Sequence, residues 1–122
     1  MSKKRKIKLE IDKFYYAYGG KAHPACIFEK TDIGTYKSIK TGTTDGKSMI
    51  EIKPTQIGTE HSYINNRPFE GTRRDYGDKE LLGIAFDESD FDTINKVKTR
   101  KPKLTKNARL AYEKHKKIPS SD

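Results

Sequence analysis

Tryptophan is absent from this 122-residue chain, and cysteine occurs once, at Cys26. A lone thiol excludes an intrachain disulfide framework, so an apolar core has to hold the fold, and a reducing compartment is the expectation. Set among Ala25, Ile27 and Phe28, Cys26 reads as a small buried hydrophobe rather than a nucleophile. No apolar run approaches the roughly 20 residues of a membrane-spanning helix. The basic N-terminus lacks the apolar stretch of a secretory signal, so the chain is expected to be cytoplasmic with no membrane partner. Histidine occurs three times, at His23, His61 and His115, far apart and without HxxxH or CxxC spacing. A metal site needs three or four converging ligands, so neither metal nor cofactor is expected. There is no GxSxG elbow. The Gly42-Thr-Thr-Asp-Gly-Lys47 run lacks the spacing of a phosphate-binding P-loop.

Acids are also short: 17 Asp and Glu stand against 26 Lys and Arg, a formal charge of +9. The excess is not spread evenly. Residues 1–8 hold five Lys/Arg and no acid, and residues 96–122 hold ten against Glu113 and Asp122. Residues 9–95 carry eleven against fifteen acids, a balance of −4. Positive charge at both ends of a mildly acidic body points to a polyanionic partner such as a nucleic acid; solvated basic tails are the plain alternative. Hydrophobic residues make up only 32%, yet seven Tyr and five Phe argue for a folded chain with a thin, aromatic-rimmed core. The length fits a single domain over 1–122, with a basic N-terminal segment 1–8 and a basic helical segment 96–117.

Period-two alternation over Lys3–Tyr18, with Ile7, Leu9 and Ile11 on one side, predicts a first strand bent near Asp12 and Lys13. Gly19-Gly20 ends it. Further strands are expected at Pro24–Glu29, Thr35–Thr41, Ser48–Lys53, Ser62–Asn65 and Glu80–Phe86, with a long loop over Asn66–Asp78. A helix over Asp87–Lys98 is expected to start at Ser89 as N-cap and to bury Phe91, Ile94 and Val97. Thr105 caps a second helix to about Lys117, with Leu104, Ala108, Ala111, Tyr112 and His115 on one apolar face. Strands first and helices last give an α+β class: a small, strongly twisted antiparallel sheet or half-open barrel with one or two C-terminal helices.

The loops contain the parts that RNA strand cleavage without a metal requires. The 2′-hydroxyl must lose a proton, the leaving 5′-oxygen must gain one, and the phosphorane needs cationic support. Lys21, His23, Thr41, Thr43, Thr44, Lys47, His61 and Tyr63 can supply these functions if the loops converge, the first six being the catalytic candidates, although Gly, Thr and Asp also populate ordinary hairpin ends. For RNA binding the candidates are Lys3, Lys4, Arg5, Lys8, Tyr18, His61, Tyr63, Arg67, Arg73, Arg74, Lys101, Lys103, Lys106 and Arg109, basic groups interleaved with aromatic ones.

The order Gly19-Gly20-Lys21-Ala22-His23-Pro24-Ala25 into Cys26-Ile27-Phe28, then Lys40-Thr41-Gly42-Thr43-Thr44 with Lys47 beyond, then Ser62-Tyr63-Ile64, resembles the Kid/MazF-type toxin superfamily. It is most similar to the ToxN/AbiQ-like branch of type III toxin–antitoxin systems, over roughly residues 13–65. His23 stands where that family commonly has an arginine, Thr-Gly or Thr-Thr where it has Thr-Ser, and Lys47 is displaced from the family's lysine. The resemblance implies a sequence-selective endoribonuclease that leaves a 2′,3′-cyclic phosphate. Its partners would be substrate RNA and an antitoxin RNA pseudoknot that it processes, in an oligomeric protein–RNA assembly. In a type II system the antitoxin would be a protein. A non-catalytic RNA- or DNA-binding module is the competing reading.

Overall fold

The computed structural model describes residues 8–117; Lys3, Lys4 and Arg5 lie outside the described residues. Seven strands follow one another: β1 (Phe14–Ala17), β2 (His23–Lys30), β3 (Thr35–Gly42), β4 (Met49–Ile52), β5 (Ser62–Asn65), β6 (Phe69–Thr72) and β7 (Lys103–Leu104). Two α-helices come late, α1 (Phe91–Lys98) before β7 and α2 (Lys106–Lys117) after it. The fold is α+β, with an open sheet that does not close into a barrel. All pairings are antiparallel except β6 with β7.

The third strand organises the sheet. Along one edge β3 pairs with β2. Its other edge is divided: Thr35–Ser38 pair with β6, and Thr41 and Gly42 pair with β5. Its side chains alternate between two cores, as strand geometry dictates. Tyr36 joins Leu9, Tyr15, Ala17, Ala25, Ile27, Phe69 and Tyr76. Ile39 joins Ile52, Ile64 and, from α1, Ile94 and Val97. The second helix instead lies along β6 and β7, where Ala108 is fully buried.

The attachment of α2 is polar. Glu70 of β6 is fully buried. Its Oε2 accepts from the Thr35 hydroxyl at 2.5 Å and the Tyr112 hydroxyl at 2.6 Å, while Oε1 has no partner. Asp75 makes a second tie: it accepts from the Thr72 N–H, the Thr105 hydroxyl at 2.7 Å and the Asn107 side-chain amide at 3.0 Å. Thr105 in turn accepts from the Ala108 N–H at 3.0 Å, which is the expected N-cap.

Several expectations are corrected. Residues 3–7 of the expected first strand lie outside the described residues, among which that strand spans Phe14–Ala17. Before it Leu9 is buried but Ile11 is exposed, because the chain turns at Asp12, which has φ 69°. Residues 66–78 are not a plain loop but contain β6 and a 3-10 turn at Arg73–Asp75. Glu80–Phe86 is no strand: only Leu81 bridges to Phe14, Gly83 takes φ 75°, and Leu82 faces solvent. Asp87, not Ser89, is the capping side chain, accepting from the Ser89 N–H ahead of a 3-10 turn that leads into α1. Phe91 is 48% exposed, so α1 buries only Ile94 and Val97. His115 is exposed rather than packed. Among the described residues no helix is long and apolar enough to cross a membrane.

Candidate functional site

The first two loops do converge. β2 begins at His23, and the β2–β3 register pairs Ala25 with Lys40, so two residues toward the strand end His23 comes opposite Gly42. A methyl built on Gly42 would lie 3.6 Å from His23 Nδ1 and 3.9 Å from the end of Met49. Gly42 in turn pairs with Tyr63 of β5, and Tyr63 with Glu51 of β4. His23, Gly42 and Tyr63 thus form one row across three strands. The missing side chain at Gly42 leaves a gap between an imidazole and a phenol whose Cα atoms are about 10 Å apart at normal strand spacing.

The electrostatics of the row pull its two protonatable groups apart. His23 is half-buried; desolvation, then the positive charges of Lys40 and Lys21, hold its pKa below 6.5. Tyr63 moves the other way: loss of water first, then the carboxylates of Glu51 and Asp45, raise its pKa above 10. Near neutral pH the row therefore presents a neutral imidazole beside a protonated phenol.

Of the other proposed catalytic residues, Lys21 is exposed but close enough to act on His23. Thr43, Thr44 and Lys47 are exposed on the loop after β3. Thr41 is buried on the opposite face, and its hydroxyl donates to the Pro24 carbonyl at 3.1 Å. It ties β2 to β3 and does not face the gap.

Lys40 is the residue that sequence reasoning passes over. It is half-buried with its Nζ 4.6 Å from the centre of the Phe69 ring, and burial followed by the charge of Lys103 lowers its pKa. Beyond it opens a cleft of about 490 Å³ between β3, β6, β7 and the start of α2. Arg67, Lys103 and Lys106, three of the expected RNA-binding residues, line this cleft with Lys40. Their convergence cannot be read from sequence, because it depends on β7 pairing in parallel with β6. The period-two pattern of β3 places Lys40 on the same side as Tyr36 and Ser38, and that is the available signal.

The remaining RNA-binding candidates are scattered. Arg73 is a structural residue, donating to the carbonyls of Tyr76 and Gly77 and pairing with Asp78 at 2.7 Å. Arg74 borders a shallow groove against α2. His61 is exposed, 3.2 Å from Glu51. Tyr18 lies against Gly77. Lys8, Lys101 and Arg109 are exposed and make no ion pair with a described carboxylate. Neither protein-family models, curated proteins nor solved structures give a significant match to this chain.

Proposed function

We propose that this chain is a metal-independent endoribonuclease of the toxin type, related to the ToxN/AbiQ-like branch of the Kid/MazF superfamily. The observation that carries this reading is the row of His23, Gly42 and Tyr63, with Lys40 and Lys21 beside it. A phosphodiester laid over Gly42 meets a neutral imidazole on one side and a phenol on the other. His23 takes the 2′-hydroxyl proton as the 2′-oxygen bonds to phosphorus. The P–O5′ bond breaks, and Tyr63 protonates the departing 5′-oxygen. The products are a 2′,3′-cyclic phosphate and a free 5′-hydroxyl; tyrosinate and imidazolium then return to their starting states through water. Lys40 and Lys21 stabilise the extra negative charge of the phosphorane. The exposed threonines Thr43 and Thr44 and Lys47 would flank the RNA on the β3–β4 loop. An antitoxin RNA would occupy the same surface as an inhibitor, in a cytoplasmic protein–RNA assembly.

The test is purified protein incubated with total RNA in excess chelator, with the new ends mapped. Cleavage that leaves 2′,3′-cyclic phosphates and fails in His23→Gln is the expected result. No cleavage, or cleavage only when a divalent metal is added, would overturn the reading. A non-catalytic RNA-binding module is favoured by one observation, the inward engagement of the Thr41 hydroxyl. It predicts that His23→Gln leaves every RNA-dependent effect unchanged.

A further inference from the structure

We infer that the cleft beside Lys40 is a second subsite, adjoining the His23–Gly42–Tyr63 row and sharing Lys40 with it. It takes the phosphate of one ribonucleotide and reads the edge of its base. Four cations, Lys40, Arg67, Lys103 and Lys106, meet there. None of them forms an ion pair with a described carboxylate. The one carboxylate in the wall, Asp75, is already engaged by the neutral donors of Thr72, Thr105 and Asn107. Arg67 is fixed along the rim by donating to the carbonyls of Lys101 and Pro102 at 3.1 and 3.3 Å. The crowding is close enough that Lys103 helps to lower the pKa of Lys40. Like charges held together without counter-charge disfavour the empty state, and an anion relieves it.

The rest of the lining gives the anion a chemical class. Asn65 and Asn66 contribute side-chain amides, and Ser48 a hydroxyl, while the Asn107 amide is committed to Asp75. Amides offer paired donor and acceptor groups, the form that matches base edges. Phe69 is unsuited to stacking a base, since it is buried and its ring is occupied by Lys40 and by Tyr76 at 5.7 Å. Recognition here is by hydrogen bonds at the edge. The volume of about 490 Å³ suits a nucleotide and exceeds what a bare phosphate fills.

Position links the cleft to the catalytic row. Lys40 lies two residues from Gly42 along the same face of β3, about 7 Å away. Neighbouring Asn65 of β5 is likewise two residues from Tyr63, on the register that pairs it with Met49. That offset is the reach of one nucleotide step, so a strand held over Gly42 would place its adjoining nucleotide in the cleft. Placing RNA here rests on the ribonuclease reading; cleft occupancy and strand cleavage are measured separately, so that either can fail alone.

The experiment follows backbone amide resonances of the full chain while inorganic phosphate and each of the four ribonucleoside 3′-monophosphates are added. One nucleotide should bind at least ~10-fold more tightly than phosphate, about the discrimination that one good edge contact provides. It should shift the amides of Asn65, Asn66 and Asn107. Lys103→Ala combined with Lys106→Ala, both exposed positions, should weaken all four nucleotides alike by ~10-fold or more, whereas Asn65→Ala should flatten the preference among bases. Nucleotides that bind no better than phosphate, or that shift other residues, overturn the subsite even if the protein cleaves RNA. Selective nucleotide binding without strand cleavage upholds the subsite and overturns the nuclease.

Discussion

His23 carries a pH signature that Tyr63 mirrors. Because the native environment disfavours imidazolium, the unfolded chain binds this proton more readily, and His23 lowers stability as pH falls through 6.5. The same shift makes it a base that is competent at neutral pH. RNA cleavage should therefore lose rate on acidification with a midpoint below 6.5, and His23→Gln should remove that limb and reduce the rate by ~10²- to 10⁴-fold. Lys40→Met removes one of the two positive neighbours, so the His23 proton resonance should titrate at higher pH than in the parent. The alkaline limb, set by Tyr63, should lie above pH 10 and vanish in Tyr63→Phe. Gly42 gives a steric counterpart. A methyl added at this position would lie in ordinary contact with His23 at 3.6 Å, so Gly42→Ala should fold normally. Gly42→Leu fills the gap and should abolish cleavage while the thermal midpoint stays near that of the parent. Cys26 is a control of a different kind: burial pushes its thiol up to about 12. It should resist thiol reagents at pH 8 until the chain is unfolded.

Between elements, the joint of α2 to the sheet depends on two carboxylates rather than on an apolar stripe. Tyr112→Phe leaves Glu70 with one donor fewer in a site without water access, and should lower unfolding free energy by ~1–3 kcal/mol in urea titrations. Gly71→Ala should be at least as damaging. Its methyl would meet the Asp75 side chain at 2.7 Å, so Asp75 must move and release Thr105 and Asn107. Amide exchange in α2 should rise more than in β2 or β3. These joints explain what sequence can and cannot disclose. The strands β2, β3 and β5 and the helix after Thr105 are readable within a residue or two, because alternation, turn glycines and caps are local. Strand β6 is not, because Phe69-Glu-Gly-Thr72 carries a charge and a glycine that no local pattern assigns to a buried strand. Only the partner groups from Thr35 and Tyr112, 35 and 42 residues away, make Glu70 tolerable there. The Glu80–Phe86 segment fails in the opposite direction: it is apolar and touches the β1 edge at Leu81, but Gly83 at φ 75° turns it away after that single bridge. In the site, the meeting of His23 with Gly42 follows from the hairpin between β2 and β3. The cleft requires β7, two residues long, and no local pattern announces it.

For the molecule as a whole, charge sets how the proposed RNA binding should respond to salt. Each phosphate neutralised on a single strand contributes about −0.7 to the slope of log K against log salt. Each of Lys103→Ala and Lys106→Ala should flatten the measured slope by about that amount, while His23→Gln should leave it within error. A slope unchanged by both lysine substitutions would place the RNA elsewhere.

The divided edge of β3 bears on how the protein is made. Synthesis delivers β2 and β3 as a hairpin early, but the free edge of β3 has no partner until residues 62–72 follow. Its two halves are satisfied by different strands, across 21 to 37 positions of sequence. During that interval an unpaired β-edge flanked by Ile39 and Tyr36 is open to pairing with other nascent chains. The same delay applies to the candidate site. His23 and Gly42 meet early, yet Tyr63 is added only with β5, and Lys103 and Lys106 close the cleft later still. On the proposed ribonuclease reading, the site stays incomplete until β5, and then Lys103 and Lys106, have been added.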